Sequence, residues 1–466
     1  MSDRITRRRL LATTAASGAG LLAGGVFPGF AQETKEADLP VGGSGKLTVI
    51  QRQEYFEQAG LLFREICQNF ADANSVELDI STTNAEAFGD FLGKMSAAVR
   101  AGNPPDIAYT SNVSISQMAL LDLVEDVTDV VEEAISLYGN IMPGLNAEKF
   151  GKIDGKWMAV PFLGGVSAGT FIRGDKLAEV GIDATTLTTF DARRDAALAI
   201  SDPDSEFWGW GVTPNQSGDG YGFLVLLIQA FGGSFTDESG MKVIFNSPET
   251  VAAFEWLAET YDRNGKYAAM LPPGIESWGD ISNNEAYLAG KIGYTHNALS
   301  VYAQAKRDQN PVFPNTILMT LPAANNGDSR DGGVVGGWLT IFKGAANVDL
   351  AKKLALDILN PVNFNRMSAE GGGLFMPAFE NMWTPELLAA DPNFAIIKEQ
   401  VSVPEPFLGI SWPANPNAAI DAIRPPGLLE QAVGNVIAGR MTAGEAVADA
   451  HQKIVDIFEE GGIPQN

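Results

Sequence analysis

A polar turn at the end of a short apolar segment is the feature of this sequence that best indicates a binding site. The turn is Thr110-Ser111-Asn112, and residues 106–109 before it read as a buried strand. Hydroxyl and amide side chains can exchange hydrogen bonds with a small polar molecule. In open α/β sheets, ligands bind in the crevice beyond the carboxyl ends of the strands. Thr110 and Asn112 are therefore predicted to contact a ligand.

The residues around this turn predict the elements that position it. Residues 88–100 carry apolar side chains at helical spacing, Gly102 ends that helix, and Pro104-Pro105 prevent it from restarting. Further strands are predicted at residues 46–50, 76–81, 170–172, 291–295 and 334–342. Because helices separate these strands, the pattern favours an α/β protein whose sheets are mostly parallel and flanked by helices.

Two short motifs predict local geometry. Asp154-Gly155 is typical of the tip of a tight hairpin, here between residues 153 and 157. Ser247-Pro248-Glu249 is typical of a helix start, with serine as the cap and proline in the first turn. The length of 466 residues predicts two or more domains.

The N-terminus has the pattern of an export signal. Thr6-Arg-Arg-Arg-Leu-Leu11 precedes a run of small and apolar residues up to Val26, and Gly29-Phe-Ala31 is a suitable cleavage site. We therefore predict a twin-arginine-type signal peptide over residues 1–31, a linker over 32–45 and a periplasmic location after cleavage.

The charge of the chain argues against nucleic acid as a partner. The net charge is −25, and residues 1–31 hold four Arg and one Asp, so the remainder carries −25 − 3 = −28. Such an acidic surface repels nucleic acids and anionic membranes.

Few residues are suited to metal or redox chemistry. Cys67 is the only cysteine, and His296 and His451 are the only histidines. An intrachain disulfide is impossible, and neither a metal site nor a cofactor is expected.

The order of motifs resembles the family 1 extracellular solute-binding proteins of ABC importers, which include maltose-binding protein. The resemblance extends over about residues 46–460. The main motifs that carry it are Gly45-Lys-Leu-Thr-Val-Ile50, Ala101-Gly-Asn-Pro-Pro-Asp-Ile107, Ile153-Asp-Gly-Lys-Trp-Met-Ala-Val-Pro-Phe162, Phe245-Asn-Ser-Pro-Glu249, Ala286-Tyr-Leu-Ala-Gly-Lys-Ile-Gly-Tyr294, Gly336-Gly-Trp-Leu-Thr-Ile341 and Met441-Thr-Ala-Gly-Glu-Ala-Val447.

The resemblance implies two α/β lobes that close on a ligand at a hinge. Lobe 1 is expected to hold residues 46–160 and 338–371, and lobe 2 residues 165–334 and 375–466. It also implies that a monomer delivers its ligand to the transmembrane permease subunits of an ABC importer.

The resemblance further implies which residues contact the ligand. Glu54 and Tyr55 follow the first strand, as ligand-contacting loops of the family do, and Trp338 and Trp412 lie at matching positions near its cleft. Aromatic faces stack on sugars while polar neighbours bind hydroxyls. The other candidates are Phe162, Asp219, Tyr221, Trp278 and Asn297. Around Asn297, His296-Asn-Ala-Leu-Ser300 replaces the Gly-Pro-Trp-like turn of the family, so a maltodextrin site does not transfer directly.

Three other ligand classes stay open beside a neutral sugar: polyamines, polyols and glycerophosphodiesters. Few carboxylates and few arginines lie in the candidate loops, which favours the neutral sugar. An enzyme is the distant alternative, because Gly165-Val-Ser167-Ala-Gly169 fits the nucleophile pattern of α/β-hydrolases. That pattern needs a helix directly after the serine, whereas residues 170–172 read as a strand, so catalysis is not expected.

Overall fold

The computed structural model describes residues 45–465, except 84–87, 112, 167–168, 216, 320, 324–332, 372, 392 and 403–408. The predicted signal peptide, all but the last residue of the predicted linker, Asn112 and Ser167 lie outside the described residues. Within the described part, no helix combines the length and the apolarity needed to cross a membrane.

The chain forms two compact units, which confirms the predicted two-lobed class. Of the described residues, unit 1 holds those within Met1–Gly165, Val335–Gly371 and Phe375–Ala390. Unit 2 holds those within Val166–Val334, Gly372–Leu374 and Asp391–Asn466. The backbone thus passes repeatedly between the two units.

Strands and helices alternate in both units. The strands are β1 Lys46–Arg52, β2 Glu77–Thr83, β3 Ile107–Thr110, β4 Lys152–Ile153, β5 Lys156–Trp157, β6 Val160–Val166, β7 Gly169–Arg173, β8 Trp208–Trp210, β9 Ile292–Asn297, β10 Thr316–Met319, β11 Gly333–Ile341 and β12 Met376–Pro377. The α-helices are α1 Glu57–Ala73, α2 Phe88–Ala101, α3 Ile115–Leu120, α4 Thr128–Tyr138, α5 Ala147–Gly151, α6 Gly174–Glu179, α7 Phe190–Ala199, α8 Gly218–Ala230, α9 Pro248–Tyr261, α10 Asp280–Leu288, α11 Ser300–Arg307, α12 Val348–Leu359, α13 Pro361–Gly371, α14 Pro385–Ala390, α15 Asn393–Val401, α16 Ala418–Asp421, α17 Leu428–Ile437 and α18 Ala443–Glu460.

Both main sheets are mixed, which corrects the expectation of mostly parallel strands. Unit 1 has the strand order β12-β6-β11-β3-β1-β2, in which β1 is parallel to β2 and β3, while β11 is antiparallel to β3. Unit 2 has the order β10-β7-β9-β8, in which β7 is antiparallel to both neighbours. Both β7 and β11 lie where the chain passes from one unit into the other. They are therefore not joined to their neighbours by the strand–helix–strand connection that makes adjacent strands parallel.

A buried carboxylate explains the Pro-Pro-Asp motif. Asp106 Oδ2 accepts hydrogen bonds from the backbone N and the hydroxyl of Thr48, both at 2.8 Å, and Asp106 Oδ1 accepts one from the N of Asn347 at 2.9 Å. Asp106 is fully buried. It therefore ties β1, the start of β3 and the residue before α12 together, which fixes the position of the two strands relative to each other.

The predicted local motifs are confirmed. β4 and β5 pair in a hairpin whose two tip residues, Asp154 and Gly155, have φ of 51° and 81°. Ser247 caps α9 by accepting a hydrogen bond from the N of Thr250 at 3.2 Å. Gly102 ends the helix before β3 with φ of 75°, a conformation that glycine adopts without strain.

One segment belongs to a different unit from the one predicted. Residues 375–390 were expected in lobe 2, but they lie in unit 1. The reason is a strand pairing, because Met376 and Pro377 of β12 lie opposite Gly164 and Leu163 of β6. A Cβ at Gly164 would lie 2.8 Å from the carbonyl oxygen of Pro377, so only glycine allows this close approach.

Candidate functional site

An ion pair lies at the carboxyl end of β1 in unit 1. Arg52 Nη2 donates to Glu54 Oε2 at 2.7 Å, and Arg52 Nε donates to Glu54 Oε1 at 3.4 Å. The Glu54 side chain is 2% exposed and that of Arg52 is 18% exposed. The two charges therefore neutralise each other in a largely buried position, where hydrogen bonds to charged groups are strong.

Tyr109, at the end of the neighbouring strand β3, lies against this pair. The guanidinium carbon of Arg52 lies 5.2 Å from the centre of the Tyr109 ring. The Tyr109 hydroxyl is buried and interacts with both charged groups. Burial, which is the largest effect, raises the pKa of Tyr109, so the hydroxyl stays protonated and can donate.

Two buried polar atoms at this edge have no hydrogen-bond partner among the described residues. They are Oγ of Ser111, one residue after β3, and Oε1 of Gln51, one residue before the end of β1. We call Arg52, Glu54, Tyr109 and Ser111 the unit 1 polar edge. The sequence prediction included only Glu54 of these four.

The other predicted residues of unit 1 differ in their accessibility. Tyr55 is 43% exposed, with its ring edge-on to Phe56 at 5.0 Å. The Thr110 hydroxyl donates to the carbonyl oxygen of Trp338 at 3.4 Å and is buried, so it serves to join β3 to β11. Tyr55 keeps its place as a candidate contact, and Thr110 is better explained as a structural residue.

Phe162 and Trp338 pack in the interior of unit 1. Phe162 is fully buried and meets the ring of Tyr109 edge-on at 4.9 Å. The Trp338 ring covers Gly151 so closely that a Cβ there would lie 2.6 Å from it. Both side chains are thus occupied by protein contacts within unit 1, and their predicted contact with a ligand stays a prediction.

The predicted polar residues of unit 2 are satisfied by the protein. Asp219 Oδ2 accepts from Asn283 Nδ2 at 2.9 Å and Asp219 Oδ1 accepts from the N of Ala298 at 3.2 Å. Its own backbone N donates to Asp280 Oδ1 at 2.9 Å. Burial and the nearby Asp280 carboxylate raise the pKa of Asp219. This carboxyl group therefore joins α8, α10 and the loop after β9.

Asn297 has a similar structural role at the end of β9. Its Nδ2 donates to Asn284 Oδ1 at 2.5 Å, and its Oδ1 accepts from the Ser300 hydroxyl at 3.4 Å. The residue is 1% exposed. Both ends of the amide are used within unit 2, where they position the start of α11, and its predicted contact with a ligand stays a prediction.

Three aromatic candidates of unit 2 are half-buried rather than enclosed: Tyr221, Trp278 and Trp412. One face of the Tyr221 ring is covered by the guanidinium of Arg424, whose carbon lies 4.7 Å from the ring centre. Trp278 accepts a hydrogen bond at its backbone carbonyl from the Thr213 hydroxyl at 2.7 Å. These rings combine partial exposure with a fixed backbone, as a stacking surface requires.

The two histidines are poorly placed for acid–base catalysis. His296 is buried beside Phe223, and burial lowers its pKa to about 3. His451 Nδ1 accepts a hydrogen bond from the backbone N of Asn246 at 3.3 Å. Among the described residues, no three His, Cys, Asp or Glu side chains are grouped so that they could hold a metal ion.

Sequence comparison assigns the family. A profile of the bacterial extracellular solute-binding proteins matches residues 65–396. The chain therefore belongs to the bacterial extracellular solute-binding proteins. None of the curated proteins matches it.

Solved structures share the fold over nearly the whole chain. Maltose-bound MalE3 of T. maritima has a TM-score of 0.71 at 18% identity, with 88% of this chain and 98% of that chain covered. A solute-binding protein of an ABC transporter from Thermotoga lettingae, bound with α-D-tagatose, has a TM-score of 0.72 at 19% identity and coverages of 89% and 100%. A third, from Agrobacterium vitis with bound D-mannitol, has a TM-score of 0.71 at 17% identity and coverages of 90% and 99%.

Proposed function

We propose that this protein captures a small neutral carbohydrate and delivers it to the permease of an ABC importer. The observation that carries the proposal is the shared two-lobed fold, which spans whole solute-binding proteins whose structures hold maltose or tagatose. Membership of the solute-binding family supports the same function and no catalytic role. The buried, low-pKa His296 also argues against a hydrolase that uses Ser167, because a general base needs a pKa near the working pH.

Polyols are the second candidate ligands. Structures with the same fold hold D-mannitol and, in a protein of Agrobacterium radiobacter, ribitol. A polyol presents the same hydroxyl groups as a sugar but lacks the rigid ring that stacks on an aromatic side chain. The two classes therefore make different use of the half-buried tryptophans.

In this proposal, Glu54 and Tyr55 of unit 1 and Tyr221, Trp278 and Trp412 of unit 2 remain candidate ligand contacts. Tyr55 is exposed and the three aromatic side chains of unit 2 are half-buried, so part of each of these rings can meet a ligand.

We further propose that the protein reaches the periplasm through the twin-arginine signal in residues 1–31 and works there as a monomer. Replacing Arg7 and Arg8 by lysine tests the route. Retention of the precursor in the cytoplasm supports twin-arginine export, whereas normal secretion contradicts it.

A thermal-shift screen of the protein from residue 32 onward tests the ligand class. The probes are maltose, D-tagatose, ribitol, D-mannitol, spermidine and glycerophosphocholine. A ligand that binds only the folded state stabilises it and so raises Tm. At a ligand concentration one hundred times Kd, the free energy of unfolding rises by about 2.7 kcal/mol. A rise with a sugar or polyol supports the proposal, and a rise with spermidine or glycerophosphocholine alone contradicts it.

Two tryptophan variants then separate sugars from polyols. Trp278→Ala and Trp412→Ala are expected to weaken the binding of a ring sugar up to about 10-fold, because aromatic stacking contributes about 0.5–1.5 kcal/mol. The buried Trp256→Phe, whose ring packs on Phe190 at 6.0 Å, is the control for a general effect of losing a tryptophan. Equal losses for mannitol and for a ring sugar would contradict stacking as the basis of the preference.

A further inference from the structure

Two carboxyl groups of unit 2, those of Asp219 and Asp280, lie in contact at the start of α8. Asp280 Oδ1 accepts a hydrogen bond from the backbone N of Asp219 at 2.9 Å, and Asp280 Oδ2 accepts one from the N of Gly218 at 3.0 Å. The two carboxyl groups also come within hydrogen-bond distance of each other. Two ionised carboxylates cannot form such a bond, because each offers only acceptors. The contact therefore requires one proton.

The surroundings of the two carboxyl groups indicate which of them holds this proton. Asp280 accepts two N–H groups at the N-terminus of α8, a position that favours a negative charge. Burial is the largest effect on Asp219 and raises its pKa, and the negative charge of Asp280 raises it further. The hydrogen bonds that Asp219 accepts from Asn283 Nδ2 and from the N of Ala298 oppose this shift. The balance assigns the proton to Asp219, which donates it to Asp280.

The other titratable side chains on the elements around the pair leave this balance unchanged. They are Tyr221 on α8, Glu285 and Tyr287 on α10, and Tyr294 and His296 on β9. The three tyrosines contact other residues, and Glu285 is exposed. His296 stays neutral, because burial lowers its pKa to about 3. The charge that acts on Asp219 is therefore that of Asp280.

The pair joins three segments of unit 2, two of which carry candidate ligand contacts. Asp219 lies two residues before Tyr221, and Asp280 lies two residues after Trp278. Ala298, whose N donates to Asp219 Oδ1 at 3.2 Å, is the first residue after β9. The position of each segment relative to the others therefore depends on the contact between the two carboxyl groups.

We propose that Asp219 and Asp280 share one proton, and that this proton positions the segments of Tyr221 and Trp278 for ligand binding. With the proton present, a hydrogen bond holds the pair together, whereas without it two negative charges repel each other in the same place. Asp219 is thus a positioning residue, which acts through other side chains rather than by touching the ligand. This role rests on the proposed function and adds to it a dependence on pH: binding weakens as the pH rises past the point at which the proton is lost.

Infrared difference spectroscopy of the wild type and Asp219→Asn at pH 7 tests the proton directly. The C=O stretch of a protonated carboxyl group lies at a higher frequency than the stretches of a carboxylate, so we expect a band in the wild type that Asp219→Asn lacks. Asp204→Asn, at an exposed position of the same unit, is the matched control and is expected to keep the band. Asp280→Asn removes the neighbouring negative charge, so its band is expected to disappear at a pH lower by about one unit or more.

Titration calorimetry with maltose, D-tagatose, ribitol and D-mannitol tests the positioning role. For the probe that binds the wild type, Asp219→Ala is expected to weaken binding about 10-fold, because the hydrogen bonds to Asn283 and Ala298 are lost. Asp219→Asn is expected to recover most of that affinity, since its amide can donate to Asp280 as the protonated acid does. Asn283 Oδ1, which is buried and has no partner among the described residues, is a second acceptor for this amide.

The pH dependence of Kd distinguishes a shared proton from a purely structural contact. Above the pH at which the infrared band disappears, binding by the wild type is expected to weaken by up to about 10-fold per pH unit, because binding then takes up one proton. Asp219→Asn has no proton to lose at this position, so its Kd is expected to stay constant over the same range. Asp204→Asn is expected to follow the wild type.

The outcomes separate the proton, its role and the function on which that role rests. Absence of a band specific to Asp219, or a band whose pH range Asp280→Asn leaves unchanged, overturns the shared proton. A shared proton with equal affinities of the wild type, Asp219→Ala and Asp219→Asn overturns the positioning role alone. Binding of none of the four probes overturns the proposed function and the role in binding, while the band still tests the proton. Equal melting temperatures of the wild type and Asp219→Asn establish that a changed affinity is not a lost fold.

Discussion

Units 1 and 2 both present polar side chains at the ends of their strands, but they use them differently. In unit 2, the carboxylate of Asp219 and the amide of Asn297 are bound by neighbouring helices and loops. In unit 1, the Arg52–Glu54 ion pair lies against the buried Tyr109, and the buried hydroxyl of Ser111 has no hydrogen-bond partner among the described residues. The strand ends of unit 2 are thus held by hydrogen bonds to neighbouring elements, whereas those of unit 1 carry an ion pair.

The largest expected effect tests the structural role of the unit 2 residues. Asn297→Ala removes two side-chain hydrogen bonds and leaves Asn284 and Ser300 without them in a buried position. We expect the free energy of unfolding to fall by about 2–4 kcal/mol, measured by urea denaturation. Asn264→Ala, at an exposed position, is the control and is expected to change it by less than about 0.5 kcal/mol. An unchanged stability of the Asn297 variant would remove the distinction between the two units.

The second prediction concerns the response of unit 2 to acid. Because burial lowers the pKa of His296 to about 3, the folded state keeps this ring neutral while the unfolded state gains a proton below about pH 6.5. The stability that the neutral His296 ring contributes is thus fully present above pH 6.5 and is lost as the pH falls toward 3. At pH 4.5 the loss from this one group amounts to about 2.7 kcal/mol.

His296→Phe measures this contribution. The variant keeps an aromatic ring beside Phe223 and removes the titration, so its stability is expected to fall less than that of the wild type between pH 7.5 and 4.5. His451→Gln is the comparison, because the half-buried His451 is expected to contribute less. Equal pH dependence of the wild type and the His296 variant would show that the ring is protonated in the folded state.

The smallest expected effect lies in unit 1, at the start of α4. Asp126 Oδ1 accepts hydrogen bonds from the hydroxyl and the N of Thr128, at 2.6 and 3.0 Å. The hydrogen bond from the Thr128 hydroxyl is the main reason that the pKa of Asp126 is lowered to about 2. Slight burial opposes this shift, and the positive charge of Lys156 adds to it. The stability that the ionised Asp126 carboxylate contributes is present above about pH 3.8 and is lost as the pH falls toward 2. Unit 1 is therefore expected to resist mild acid better than unit 2.

Asp126→Ala is expected to lower the unfolding free energy at pH 7 by about 1 kcal/mol, as loss of a helix cap does. Asp126→Asn, which keeps an acceptor for Thr128, is expected to recover part of that loss. Urea denaturation at pH 7 and at pH 3 compares the two variants, and the difference from the wild type is expected to shrink at the lower pH. A difference that grows in acid would contradict the pKa assignment.

Much of the fold and less of the site could be predicted from the sequence. The two-lobed class, the hairpin at Asp154-Gly155 and the helix start at Ser247 are local or motif-level features and were predicted correctly. The predicted contacts include Glu54 but not Arg52 or Tyr109, which the structure places beside it. The available signal was position, since Arg52 ends β1 and Tyr109 is the last residue but one of β3.

The sequence by itself determined the positions of helices and strands, the helix stop at Gly102 and the polar turns after the strands. These follow from side-chain periodicity and backbone preference, which act over a few residues. Only the tertiary structure decided the mixed strand directions, the placement of β12 beside β6 and which polar side chains are already hydrogen-bonded. Each of these depends on contacts between residues far apart in the chain, such as Asn297 with Asn284 or Met376 with Gly164, and no local pattern encodes such contacts.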